Sequence, residues 1–143
     1  MSVPRGDDAS PHEHPNALAY RRTADAFRAG DLGALRLLFD AEVVWHIPGH
    51  SFRAGEFRGL DAVIELLRGL PAGFTLLEHD VLGNDEHVVA LSYMGVRRPD
   101  LELETRVVSV FHFRDGRQVE RWFYPEDVET WDRIFGLPGE AGG

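Results

Sequence analysis

The spacing of apolar residues changes period once along this chain, and that change restricts the fold more than any other feature. Up to Leu70 the apolar positions recur at three-to-four-residue spacing. From Phe74 onward they alternate. Pro15 suits the first turn of a helix running through Arg28, with Leu18, Phe27 and the intervening alanines forming an apolar stripe and Gly30 as C-cap. Asp31 then caps a short helix through Leu38, with Leu35, Leu38 and Phe39 turned inward. Val43–Ile47 reads as a strand ended by Pro48-Gly49. His50–Gly59 has no period and reads as a loop. Leu60–Gly69 is amphipathic, with Val63, Leu66, Leu67 and Leu70 on one side. Four strands follow, Phe74–Leu82, His87–Val96, Leu101–Phe113 and Gln118–Tyr124, separated by short breaks with turn chemistry that favour antiparallel hairpins. Asp127–Phe135 is expected to close the fold as a helix. Helices first and a meander afterwards is an α+β pattern. Residues 1–14 read as a disordered tail, 15–136 as one domain and 137–143 as a flexible C-terminus.

Composition narrows the chemistry. The 143 residues carry a formal charge of −9 and are 43% hydrophobic, enough for one core. There is no cysteine, so no disulfide, thiol nucleophile or thiolate metal site. All 15 basic side chains are arginine, which excludes a Schiff-base or P-loop lysine. The acidic balance argues against nucleic acid and anionic membranes as partners. No apolar run approaches the ~20 residues of a membrane span and residues 1–14 hold no signal-peptide core, so a cytoplasmic location is expected. The absence of a Gly-rich strand-to-helix loop leaves no expected cofactor.

Strand parity assigns faces. On Leu101–Phe113 the odd residues Leu103, Val107, Ser109, Phe111 and Phe113 share one face, and Val108, Val110 and His112 share the other. On the next strand Val119, Arg121 and Phe123 oppose Glu120, Trp122 and Tyr124. Both faces are partly apolar. The helices can cover one, and a second copy of the sheet can cover the other. A homodimer through Val108, Val110, Trp122 and Tyr124 is therefore expected.

Several segments in order carry a family resemblance: Phe27-Arg-Ala-Gly-Asp31-Leu, Val43-Val-Trp-His-Ile-Pro-Gly49, Gly55-Glu-Phe-Arg-Gly59, Val108-Ser-Val-Phe-His-Phe-Arg-Asp-Gly116 and Val119-Glu-Arg-Trp122. Together they resemble the nuclear-transport-factor-2-like superfamily over roughly residues 15–135, and within it the SnoaL-like members. That superfamily includes ketosteroid isomerases, scytalone dehydratase and polyketide cyclases. The resemblance implies a cone-shaped roll: three N-terminal helices packed on a curved, mostly antiparallel sheet around an apolar pocket.

By that resemblance His46 takes the place of the isomerases' general base. It can act so, or only line the cavity and hydrogen-bond. Ser109 falls where the isomerases keep a protonated Asp. Ser109 and Phe123 together match the His and Asp of the cyclases, and Thr23 matches an oxyanion-binding Tyr, so neither catalytic set is intact. Arg121 points into the pocket, where it should clamp an anion or pair with Glu56 or another acid. Trp45, Phe27, Phe57, Phe111 and Phe123 are expected pocket walls, and Tyr93 a candidate pocket hydroxyl. His46 and His50 lack a third ligand at a telling spacing, so no metal is expected. Three readings follow. The first is a cofactor-independent isomerase, cyclase or dehydratase acting on a hydrophobic carbonyl compound through His46, Arg121 and Ser109. The second is a non-catalytic carrier of an apolar metabolite. The third is an epoxide hydrolase using Arg121 with Asp80 or Asp127.

Overall fold

The computed structural model describes residues 13–139. Residues 1–12 and 140–143, which hold most of the two expected tails, lie outside the described residues. The described chain begins in contact with the fold: the His14 side chain accepts from the Asn16 N–H and caps α1 (Pro15–Ala29), and Glu13 pairs with Arg21. Gly30 closes α1 in the left-handed conformation expected of a C-cap, at φ 69°. Asp31 caps α2 (Leu32–Leu38) through the Ala34 N–H.

β1 (Phe39–Ile47) starts four residues before its expected position, because its first half carries Asp40 and Glu42 and shows no clean alternation. The expected loop at 50–59 contains a further strand, β2 (Gly55–Arg58), paired antiparallel with β1. Four residues with one half-buried side chain, Phe57, are too short to display a period. α3 (Leu60–Arg68) follows, then β3 (Phe74–Gly83), β4 (His87–Arg98), β5 (Leu101–Arg114), β6 (Arg117–Pro125) and α4 (Val128–Phe135). The α+β class is as expected, with three helices N-terminal to the meander and α4 as the closing helix. Asp127 caps α4 through the N–H groups of Glu129 and Thr130.

The six strands form one sheet in the order β2-β1-β6-β5-β4-β3. All pairs are antiparallel except β1 and β6. The β5–β6 turn places Asp115 at φ 54° and Gly116 at φ 75°. Two successive positive φ values match the twist of the flanking strands, which is why an Asp-Gly pair sits there. Register shifts interrupt β3 at Glu78–Asp80 and the β5–β6 pair at His112–Phe113, and such bulges bend and twist a sheet.

Parity on β5 and β6 is as the alternation indicates: Val107, Ser109, Phe111, Arg121 and Phe123 are buried, while Val108 and Tyr124 are exposed. The buried side chains form two clusters. One gathers Leu35, Trp45, Ile47, Val63, Leu66, Phe123 and Trp131. The other gathers Tyr20, Ala24, Val88, Phe111 and Phe113.

Arg53, which sequence reasoning places in a loop without assigning it a contact, is buried. Its Nη1 donates to the carbonyls of Phe135 at 2.8 Å and Leu137 at 2.6 Å, and its Nη2 donates to that of Gly69 at 2.7 Å. Leu137, expected in a flexible end, is thereby held against the core. Hydrogen bonds to a charged donor are worth ~1.5–3 kcal/mol each when net, with losses not fully additive. Arg53→Met is expected to lower unfolding free energy by about 3 kcal/mol in a urea titration, with the end of α4 losing amide-exchange protection first.

Candidate functional site

The two apolar clusters meet at a small hollow beneath α1, α2 and α3, and its chemistry follows from which side chains each element turns inward. From α1 come Tyr20, Thr23, Ala24 and Phe27, which recur at three- and four-residue spacing on one helical face. β1 contributes Trp45 and Ile47, and β6 contributes Arg121 and Phe123. Leu35 of α2, leucines of α3 and just after it, Phe39 of β1, Phe74 and Leu76 of β3, Met94 of β4 and Phe135 of α4 also line it. Its volume is about 40 Å³. An engineered apolar cavity that admits benzene is ~150 Å³, so this hollow suits only a compact guest unless its walls yield.

Among the described residues Arg121 is the one charged side chain in that wall, and it is only 5% exposed. Parallel pairing sets Trp45 opposite Arg121, and antiparallel pairing sets Phe111 opposite it on the other side. The guanidinium carbon lies 4.2 Å from the ring centre of Phe123, 4.6 Å from Phe111, 4.7 Å from Trp45 and 5.9 Å from Tyr20. Ring faces attract a desolvated cation with ~2 kcal/mol or more at each good contact. Nη2 donates to Ser109 Oγ at 3.0 Å, while Nε has no partner. Burial pushes the Arg121 pKa below its ordinary value, opposed by Tyr20 and Glu78. A guanidinium nonetheless stays charged.

A second polar chain leads outward from the hollow. The Tyr20 hydroxyl donates to Glu78 Oε2 at 3.0 Å, and Arg28 Nη1 donates to Glu78 Oε1 at 2.6 Å. Burial raises the Tyr20 phenol well above its usual range. Arg121 opposes that shift and Glu78 adds to it. Tyr20 and Glu78 are absent from the sequence expectations. Tyr20 was open to discovery, since it lies one turn before Thr23 on the face that also carries Phe27. Glu78 sits at the β3 bulge, where alternation fails as a guide.

His46 is not in the hollow. Its partner across the β1–β6 ladder is Trp122, so it shares Trp122's outer face. The imidazole stacks on the Trp122 ring at 5.3 Å and 9°, with Nε2 2.5 Å from Glu120 Oε2 and Nδ1 3.5 Å from Glu56 Oε1. The expectation that it acts as the pocket base fails on strand parity. Pairing of Arg121 with Glu56 fails for the same reason, since Glu56 is engaged by His46 and Arg58. Ser109 is fully buried and holds Arg121, a positioning role without contact to the hollow. Thr23, Phe27, Trp45 and Phe123 do line it. Phe111 supports Arg121 from below, and Phe57 packs on the core from β2 outside the wall. Tyr93 lies on the outer face in a cleft with His79, Arg106 and Tyr124. Asp80 accepts from the Val81 N–H and Asp127 caps α4, so neither forms a carboxylate pair with Arg121. His50 sits beside Asp132, apart from His46.

Residues 20–121 match the SnoaL-like domain family. An uncharacterised protein of Mycobacterium tuberculosis is 34% identical over 102 residues, covering 68% of this chain and 78% of that protein. Among solved structures, Bal32a from a soil-derived mobile gene cassette aligns with TM-score 0.78 at 28% identity, over 85% of this chain and 96% of that one. An M. tuberculosis epoxide hydrolase of the LEH-like type aligns with TM-score 0.68 at 19% identity, over 87% and 92%, a likeness of fold.

The Tyr20 shift fixes an alkaline signature. Above about pH 10 an unfolded tyrosine releases a proton that the folded Tyr20 retains, so the unfolded state binds fewer protons and stability falls as pH rises, by at most ~1.4 kcal/mol per unit. Denaturant titrations between pH 9 and 11 are expected to show this decline, and Tyr20→Phe to reduce its slope.

Proposed function

This chain belongs to the SnoaL-like domain family, and within it we propose that it is a small-molecule-binding protein whose hollow holds a compact, largely apolar ligand against Arg121 without abstracting a proton from it. The observation that carries this reading is the makeup of the wall. Among the described residues it contains apolar side chains, two hydroxyls and one guanidinium, but no carboxylate or imidazole. Isomerisation or cyclisation by proton transfer needs a group within hydrogen-bond reach of the substrate that can take the proton. Arg121 has no acceptor, and a phenol already protonated takes up no further proton from a substrate. With His46 on the opposite face, the electrophilic half of such chemistry has support and the basic half has none. A fused-ring substrate also exceeds the hollow as it stands.

Binding is expected to raise the melting temperature, with about 2.7 kcal/mol of stabilisation at a ligand concentration of 100 Kd. A thermal-shift and calorimetric screen of compact short-chain compounds checks this. Leu66→Trp, which fills the hollow from α3, is expected to abolish binding. His46→Ala is expected to leave affinity within about twofold, because a residue outside the contact set changes little. Turnover of an enone or epoxide that disappears in His46→Ala would overturn the reading.

We also propose that a second copy of the chain covers the outer face of the sheet. Val108, 38% exposed, and Tyr124, 56% exposed, are cross-strand partners there, beside the half-buried Val110–Trp122 pair. Light scattering at micromolar concentration is expected to give twice the chain mass for the wild type. The double variant Val108→Arg, Tyr124→Arg should give the single mass with unchanged circular dichroism. A monomeric wild type would refute it.

A further inference from the structure

Among the described residues two arginines are buried, and they are satisfied in different ways. Arg53 meets three backbone carbonyls. Arg121 has one side-chain hydrogen bond, to a neutral hydroxyl, and an Nε with no acceptor at all. The chain carries 24 acidic residues, yet among the described ones none forms an ion pair with Arg121. Glu78, the acid that acts on it from beyond Tyr20, is already engaged by Arg28 and by the Tyr20 hydroxyl. Ring faces attract the cation but accept no linear N–H hydrogen bonds of carbonyl or carboxylate strength. The guanidinium therefore borders an apolar hollow with positive charge and donor capacity left over.

We propose that Arg121 receives the carboxylate of the ligand, so that the compounds bound in the hollow are compact monocarboxylates with an apolar body. This rests on the binding reading above and gives it a substrate class. A planar carboxylate accepts parallel N–H groups from a guanidinium, and beside a buried guanidinium in an apolar wall the pair is screened far less than at the surface. The remaining wall is apolar apart from Tyr20 and Thr23. The Thr23 hydroxyl donates to the Ala19 carbonyl and keeps lone pairs rather than protons for a guest. The arrangement thus accommodates one anionic end and excludes a second charge. Ser109, by accepting from Nη2, fixes the plane of the guanidinium and is a positioning residue.

The test compares acetate and butyrate with ethanol and butanol, matched for size but uncharged, by calorimetry on the full chain. Carboxylates are expected to bind at least tenfold tighter than their alcohols. Arg121→Met should erase that preference while still binding the alcohols. In the wild type the Arg121 15Nε resonance should shift on addition of butyrate but not of butanol, a readout that decides the matter even if the variant fails to fold. Equal or tighter binding of the alcohols, or a preference that survives Arg121→Met, would overturn the carboxylate assignment and leave the binding site intact. No binding of either class at millimolar concentration would overturn both.

Discussion

The attraction between the Arg121 guanidinium and the aromatic faces around it organises the interior. Each ring that touches the cation belongs to a different part of the chain: Tyr20 to α1, Trp45 to β1, Phe111 to β5 and Phe123 to β6. Trp45 and Phe123 belong to one apolar cluster, and Tyr20 and Phe111 to the other. A charge therefore occupies the seam where a continuous hydrophobic core would otherwise form. The neighbouring polar groups serve this arrangement. Gln118 Oε1 accepts from the Trp45 indole at 2.6 Å and holds its ring in place, while Ser109 holds the guanidinium. Desolvating an arginine carries a penalty of several kcal/mol, and retaining it without an acid partner is understandable where an anion completes the site.

Much of this was legible from alternation alone. Parity on β5 and β6 put Ser109, Arg121 and Phe123 on one face and Val108, Trp122 and Tyr124 on the other, and the coordinates agree. The helix limits were equally readable, because Pro15, Gly30 and Asp31 mark them through local backbone chemistry. His46 shows where analogy overrides physics. Trp45 and His46 are consecutive residues of a strand, so both cannot face one hollow. Resemblance to an enzyme family assigned both to it, and the period-two rule assigns one.

The features that escaped the sequence depend on register and on long-range pairing. Nothing in Val43–Ile47 or Gln118–Tyr124 shows that these strands run parallel, nor that Trp45 faces Arg121 rather than Gln118. β2 is too short to have a period. Arg53 resembles any loop arginine until the carbonyls of Gly69, Phe135 and Leu137 converge on it. Glu78 lies at a bulge, which by nature breaks the pattern that would have revealed its direction.

The parallel seam between β1 and β6 has a temporal meaning. β1 has β2 on one side, available soon after synthesis, but its other neighbour is the last strand to be made. Until that strand emerges, Trp45 has no cation beside it, and the helical layer has only part of a sheet to rest on. Contacts between such distant stretches are slow to form because a long loop must close first. A nascent chain therefore holds β1 in waiting, with one edge open, until the ribosome has delivered β6. Assembly of the interior becomes a late event of biogenesis.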